Sequence, residues 1–89
     1  MDLRETTRLL GTLNDWSLEG KSIMKEYTFK NFVESIEFVN KVKDVAEAYE
    51  HHPEIVISYN KVILTLTTHS AGGLTEKDFI VAKDIDGIV

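Results

Sequence analysis

A long amphipathic segment, residues 32–50, dominates this chain of 89 residues. Apolar side chains recur in it at spacings of three and four, which places them on one face of a helix. Asn31, with a glutamate three residues later, resembles a capping box and marks the start of the helix. Pro53 disfavours the helical conformation at the preceding residue, so we expect the helix to end at His51 or His52. The predicted apolar face contains Phe29, Phe32, Val33, Ile36, Val39, Val42, Ala46 and Tyr49.

Two strands and a short helix are predicted before this segment. Residues 16–18 and 22–29 flank a turn that contains Gly20. In the second of them apolar and polar residues alternate, which is typical of a half-buried strand. A short helix is expected further upstream, over residues 5–14. Its apolar stripe would consist of Leu9, Leu10 and Leu13.

A second pair of strands and a last helix follow. Residues 54–59 and 62–69 are dense in β-branched and apolar side chains, so they predict a hairpin with its turn at Asn60-Lys61. A capping-box-like pattern at residues 75–78 starts a helix that runs close to the C-terminus. The order α-β-β-α-β-β-α predicts an α+β fold in a single domain, residues 1–89. We expect a four-stranded antiparallel sheet with the helices packed on one face.

Composition argues against several classes of function. The chain has no cysteine, so no thiolate can bind a metal or attack a substrate. A net charge of −5, with ten scattered basic residues, argues against direct binding of nucleic acid. No apolar run suggests a membrane span or a signal peptide, so we expect no membrane partner and a cytoplasmic location. Because so short a chain buries only a marginal core, oligomerisation is a reasonable expectation.

The three histidines are the strongest candidates for chemistry. His51 and His52 end the predicted long helix and His69 ends the last predicted strand, and the predicted hairpin register places His69 opposite His52. Glu47 precedes His51 by one helical turn. Asp78 lies in the first turn of the last helix, just after the loop that follows His69. An imidazole ordinarily titrates near pH 6.5, so three of them beside two carboxylates suit proton transfer.

Simpler roles for the same residues stay open. His51 and His52 could cap the carbonyl groups at the end of a helix. Glu47 could be one more solvated charge, and Asp78 could serve only the capping box. A zinc site made of the histidines and a carboxylate is a sharper alternative. However, adjacent histidines in a helix project about 100° apart, and the usual pair four residues apart is absent, so we expect no metal site.

Several short motifs occur in a fixed order from Trp16 onward. They are Tyr27-Thr28-Phe29-Lys30-Asn31-Phe32, Glu47-Ala48-Tyr49-Glu50-His51-His52-Pro53-Glu54, Tyr59-Asn60-Lys61-Val62, Leu66-Thr67-Thr68-His69 and Gly73-Leu74-Thr75-Glu76-Lys77-Asp78. This ordered set, which covers nearly the whole chain, resembles the pterin-4a-carbinolamine dehydratase family. One departure is Ile55, since the family often has a tryptophan there that could stack on the pterin.

The resemblance implies a hydro-lyase that needs no cofactor. Such an enzyme eliminates water from a 4a-hydroxytetrahydropterin to give quinonoid dihydropterin during tetrahydrobiopterin recycling. It also implies a pterin as small-molecule partner and assembly into a homodimer or homotetramer. Carried over by position, the catalytic residues are His51, His52 and His69, and the substrate-binding or supporting residues are Glu47, Asp78, Thr68 and Pro53.

The chemistry of the implied reaction agrees with the histidine cluster, because the hydroxyl must gain a proton and N5 must lose one. Our hypothesis is that His51 and His69 transfer these protons, His52 positions the ring, and Glu47 orients a histidine. Two other functions remain open. Some animal members of the family act as dimerisation cofactors in transcription, and a related enzyme could act on a pterin of molybdopterin metabolism.

Overall fold

A computed structural model describes all 89 residues and confirms the predicted order of elements. After the fourth strand a short 3₁₀ turn covers His69–Ala71. None of the three helices combines the length and the apolar character needed to span a bilayer. The helices are α1 (Leu3–Leu10), α2 (Phe32–Tyr49) and α3 (Glu76–Asp86), and the strands are β1 (Ser17–Glu19), β2 (Ser22–Thr28), β3 (Glu54–Ser58) and β4 (Lys61–Leu66).

The four strands form one antiparallel sheet in the order β1-β2-β4-β3, which confirms the predicted α+β fold. Alternate side chains of the central strands β2 and β4 point to the same face and are buried. The helices cover this face, so the sheet and helices share one core. The buried residues on the two central strands are Ile23, Tyr27, Val62, Leu64 and Leu66.

The first helix is shorter than predicted and begins earlier. Asp2 caps it by accepting a hydrogen bond from the backbone N–H of Glu5 at 2.8 Å, so the helix begins at Leu3, two residues before the predicted start. Gly11 forms the C-cap, so the helix ends four residues before the predicted end. All three leucines of the predicted stripe pack partly buried against the core, but only Leu9 and Leu10 lie on the helix, and Leu13 follows it.

Helix α2 buries a narrower face than the sequence predicts. Val42 and Ala46 are buried as predicted, and Phe38, which was not on the predicted face, is buried with them. Phe32 and Val33, which we placed on the buried face, are 50% and 63% exposed. The apolar residues of α2 extend around more than one face of the helix, and only one face meets the sheet.

The C-terminal end of α2 changes the direction of the chain just before the histidines. Glu50 adopts the left-handed conformation, with φ of 51°, and the backbone N–H of His51 bonds to the carbonyl of Ala46 at 3.0 Å. This six-residue closure is the Schellman arrangement, in which glycine usually occupies the left-handed position. Helical spacing therefore ends at Tyr49 and does not extend to His51 and His52.

The hairpin of β3 and β4 turns one residue earlier than predicted. Ser58 pairs with Lys61, so the turn is Tyr59-Asn60 and not Asn60-Lys61. Asn60 is held there by Phe29, which donates its N–H to the Asn60 carbonyl at 2.7 Å and accepts from the Asn60 side chain at 3.1 Å. The shift changes every pairing in the hairpin. The prediction that His69 lies opposite His52 is therefore wrong, and β4 ends at Leu66 before reaching His69.

A buried polar cluster joins the end of α3 to the sheet. The Asp86 carboxylate accepts hydrogen bonds from Trp16 Nε1 at 3.0 Å, Lys25 Nζ at 2.9 Å and the Tyr27 hydroxyl at 2.6 Å. The side chains of Lys25 and Asp86 are only 11% and 13% exposed. Burial and the bond to Asp86 raise the pKa of Tyr27 above its ordinary value, so its hydroxyl remains a donor. Three donors from the first third of the chain thus share one carboxylate near its C-terminal end.

Replacing this carboxylate should destabilise the fold. In Asp86→Ala the Lys25 ammonium stays buried without a partner, so we expect the free energy of unfolding to fall by about 3–5 kcal/mol. Urea unfolding at constant m-value would measure the loss. The control is Asp84→Ala, an exposed helix carboxylate bonded to the Tyr49 hydroxyl, for which we expect a smaller effect. Equal losses in the two variants would contradict the assignment, and adding Lys25→Met to Asp86→Ala should restore part of the stability.

Candidate active site

His51 forms a nearly buried pair with Asp78. Its Nε2 atom lies 2.5 Å from Asp78 Oδ1, and the two side chains are 11% and 0% exposed. The left-handed residue Glu50 turns His51 away from the axis of α2, while Asp78 comes from the first turn of α3. A carboxylate is favoured there, because the exposed N–H groups at the start of a helix stabilise negative charge.

Asp78 is surrounded by donors on its other oxygen as well. Its Oδ2 atom accepts from the Thr68 hydroxyl at 2.8 Å and from the backbone N–H of Thr75 at 3.0 Å. The Thr75 bond belongs to the predicted capping box, so Asp78 caps α3 and contacts His51 at the same time. Because a carboxylate only accepts, His51 carries its hydrogen on Nε2 and its lone pair on Nδ1 when neutral.

His52 pairs with Glu47 on the surface. The His52 Nε2 atom lies 2.5 Å from Glu47 Oε2, but the side chains are 62% and 68% exposed. Our prediction that Glu47 would share a helical face with His51 is wrong, because the chain leaves helical geometry at Glu50. Glu47 does contact a histidine, but water screens this pair far more than the pair formed by His51 and Asp78.

His69 lies in the 3₁₀ turn and is exposed, and its imidazole forms no hydrogen bond within the chain. The turn is closed by two backbone bonds between Thr68 and Gly73, of 3.0 and 3.3 Å. Gly72 ends the turn with φ of 70°, a conformation that glycine adopts without strain. Pro53 is half-buried and links His52 to the first residue of β3. The structure therefore connects His69 to Asp78 through its neighbour Thr68, and not through the sheet.

The histidines lie outside the concave parts of the surface. The three cavities, of about 230 to 350 Å³, are lined by other residues. No group of three or more histidine, cysteine or carboxylate side chains converges as metal ligands would. Ile55, the departure from the family pattern noted in the sequence, lies on β3 and packs half-buried against the core.

One contact of the site was not predicted from the sequence. The hydroxyl groups of Thr68 and Thr75 lie 2.9 Å apart and complete a network around Asp78. The capping pattern of Thr75 and Asp78 was a signal for one bond of this network, but Thr68 was indicated only by the resemblance. The site as a whole holds one histidine fixed by a buried carboxylate, one paired on the surface and one unpaired. Such an arrangement can accept a proton at one imidazole and donate one from another.

Comparison with known proteins identifies a family for the whole chain. The model of the family described as Pterin 4 alpha carbinolamine dehydratase matches residues 1–88. A relative from Sulfolobus acidocaldarius, whose name places it in this family, is 48% identical over 88 residues, covering 99% of this chain and 97% of its own length. A relative of the same name from Trichodesmium erythraeum is 51% identical over 86 residues, covering 97% of this chain and 92% of its own length.

Solved structures agree with the sequence comparisons. A crystal structure from Brucella melitensis, described as a transcriptional coactivator/pterin dehydratase, superimposes with a TM-score of 0.94 at 33% identity, covering 99% of this chain and 96% of that one. A pterin dehydratase-like protein described as a RuBisCO assembly factor of the alpha-carboxysome shares the fold, with a TM-score of 0.72 at 22% identity over 84% of this chain and 89% of that one. On the full-length match of sequence and structure, this chain belongs to the pterin-4-alpha-carbinolamine dehydratase family.

Proposed function

We propose that this protein eliminates water from a 4a-hydroxytetrahydropterin and releases quinonoid dihydropterin, as in tetrahydrobiopterin recycling. Membership of the family supports the class of substrate. The observation that carries the proposed chemistry is the pair formed by His51 and Asp78, because a buried carboxylate fixes one nitrogen of the imidazole and leaves the other available. No other histidine of the chain is held in this way.

The reaction requires one proton donor and one proton acceptor. The bond from C4a to oxygen breaks as the hydroxyl gains a proton and leaves as water. N5 loses its proton, and the electrons of that N–H bond form the double bond between N5 and C4a. Atoms and electrons balance without an oxidant, so a positioned acid and base can supply the catalysis.

The environments of the histidines support a division of roles. We assign His51 as the acceptor of the N5 proton, since its Nδ1 lone pair is oriented and Asp78 stabilises the imidazolium that forms. His69 is exposed and unpaired, which suits a group that gives a proton to the leaving hydroxyl. His52, oriented by Glu47, would position the pterin ring. Thr68 supports Asp78, and Pro53 directs the chain from the histidine pair into β3.

Removing both proton-transferring histidines tests the proposal directly. His51→Ala combined with His69→Ala should reduce kcat for dehydration of a 4a-hydroxytetrahydropterin by at least about 10²-fold, because general acid and base are both lost. The rate is followed by stopped-flow absorbance. The exposed α2 residue Glu37, changed to Gln, serves as control and should retain full activity. A folded double variant with undiminished kcat would reject these roles, and a wild type without any activity would reject the proposed function.

Replacing the buried carboxylate tests the orientation of His51. In Asp78→Asn an amide N–H can donate to Nε2, which favours the tautomer with its hydrogen on Nδ1. We expect kcat to fall by about 10²-fold or more while the fold is retained, by analogy with other buried carboxylate–histidine pairs. Asp84→Asn, an exposed carboxylate on the same helix, is the matched control. An Asp78→Asn variant as active as Asp84→Asn would show that the pair has only a structural role.

Self-association belongs to the same proposal. Four large apolar side chains on α2, β3 and the hairpin turn are 45% to 65% exposed in the single chain: Phe32, Val33, Val56 and Tyr59. Burying such side chains between copies is a common way to stabilise a small domain. We expect a dimer or tetramer in solution, and light scattering would measure it. A monomeric mass at micromolar concentration would contradict this expectation.

A protein-binding role is the main alternative to catalysis. It is favoured by the description of the Brucella melitensis relative, which names a transcriptional coactivator together with a pterin dehydratase. An active wild type whose activity is lost with the histidines supports the enzyme. An inactive, folded wild type that forms mixed oligomers with another chain would instead support the binding role.

A further inference from the structure

We propose that Thr68 is a positioning residue that holds His51 and His69 in a single geometry. Its hydroxyl group fixes Asp78, which contacts His51, and its backbone closes the turn that carries His69. The catalytic part of this inference rests on the proposed function. The structural part, the state of the His51 imidazole, can be measured without any substrate.

The direction of each hydrogen bond around Asp78 follows from counting hydrogens. The Thr68 hydroxyl has one hydrogen, which it donates to Asp78 Oδ2 at 2.8 Å. The bond of 2.9 Å between the two threonine hydroxyls must then be donated by Thr75. The chain of donors therefore runs from Thr75 through Thr68 to Asp78, and Asp78 Oδ1 is left for the N–H of His51. No buried polar side-chain atom of this network lacks a partner.

The backbone of Thr68 fixes the other histidine. Its N–H donates to the carbonyl of Gly73 at 3.0 Å, and its carbonyl accepts from the N–H groups of Ala71 at 3.0 Å and Gly73 at 3.3 Å. All three bonds close the turn in which His69 is the next residue. A displacement of Thr68 would therefore move His69 through the backbone and His51 through Asp78.

Valine is the informative replacement, because it has nearly the same shape as threonine and no hydroxyl group. It removes one of two donors to Asp78 Oδ2 and deprives the Thr75 hydroxyl of its acceptor, in a site where the carboxylate is fully buried. Unpaired buried polar groups are costly, so the network should rearrange. The backbone bonds of residue 68 remain possible, so the turn can still close.

The experiment compares Thr68→Val with Thr68→Ser and with Thr67→Val. Thr67 is the matched control, because its hydroxyl bonds to the carbonyl of Lys21 at 2.7 Å and does not reach Asp78. Two-bond ¹⁵N–¹H correlations of the His51 ring report which nitrogen carries the hydrogen. Steady-state kinetics on a 4a-hydroxytetrahydropterin give kcat and KM separately.

In wild type we expect the NMR correlations of His51 to show one tautomer, with its hydrogen on Nε2. Thr68→Val should lose this pattern and lower kcat by about 10- to 100-fold, with KM changed much less. Thr68→Ser, which keeps the hydroxyl, should retain the pattern and most of the activity, and Thr67→Val should behave as wild type. If Thr68→Val does not fold, Thr75→Val weakens the same network from its far end and should alter the His51 pattern in the same direction.

Three outcomes would overturn the inference. The first is a folded Thr68→Val variant with the NMR pattern of His51 and kcat both unchanged. The second is an equal loss of kcat and of the His51 pattern in Thr68→Ser and Thr68→Val. The third applies where Thr68→Val does not fold, and is an unchanged His51 pattern in Thr75→Val. A wild type that dehydrates no pterin would remove the proposed function, but the His51 pattern in the variants would still decide whether Thr68 positions this histidine.

Discussion

Helix α3 is tied to the rest of the molecule by a carboxylate at each end, and the first of these two attachments belongs to the candidate site. At its start Asp78 receives bonds from His51, Thr68 and Thr75. At its end Asp86 receives bonds from the sheet and from Trp16. The helix dipole favours the first carboxylate and disfavours the second. The second end therefore needs the buried ammonium of Lys25 to compensate, whereas the first end can use neutral donors and an imidazole.

This difference makes the start of the helix the better place for the proposed chemistry. A carboxylate already stabilised by backbone N–H groups and hydroxyls can remain buried whether or not a histidine beside it is charged. The same position is where the end of α2 and the turn after β4 meet. The fold thus brings a fixed imidazole and an exposed imidazole to neighbouring segments, with Thr68 between them in the chain of contacts.

Sequence reasoning succeeded where a pattern depends on neighbours along the chain. Alternation predicted β2, helical spacing predicted α2, and the capping pair of Thr75 and Asp78 marked the start of α3, because each reflects contacts within a few residues. The hairpin register was missed, because a contact between Phe29 and Asn60 decides it. The partner of His51 was missed because a glutamate, and not a glycine, takes the left-handed position at the end of α2.

The cluster around Asp86 also could not be predicted from the sequence, although Lys25 indicated that a buried partner exists. It lies between Ile23 and Tyr27 on the buried face of β2, where a lysine is out of place unless it has a partner. Its partner, Asp86, lies 61 residues away, so no local pattern could identify it. For the site, the residue types and approximate positions were predictable, but the pairings were not.

The exposed turn after β4 has a consequence for how this fold can evolve. The turn is closed by backbone bonds between Thr68 and Gly73, and no side chain between them enters the core. His52 is equally independent of the core. Selection for folding therefore exerts little pressure to keep these two histidines, whereas selection for the proposed reaction would keep them. A lineage that no longer needs the reaction could exchange them and keep the scaffold for another use.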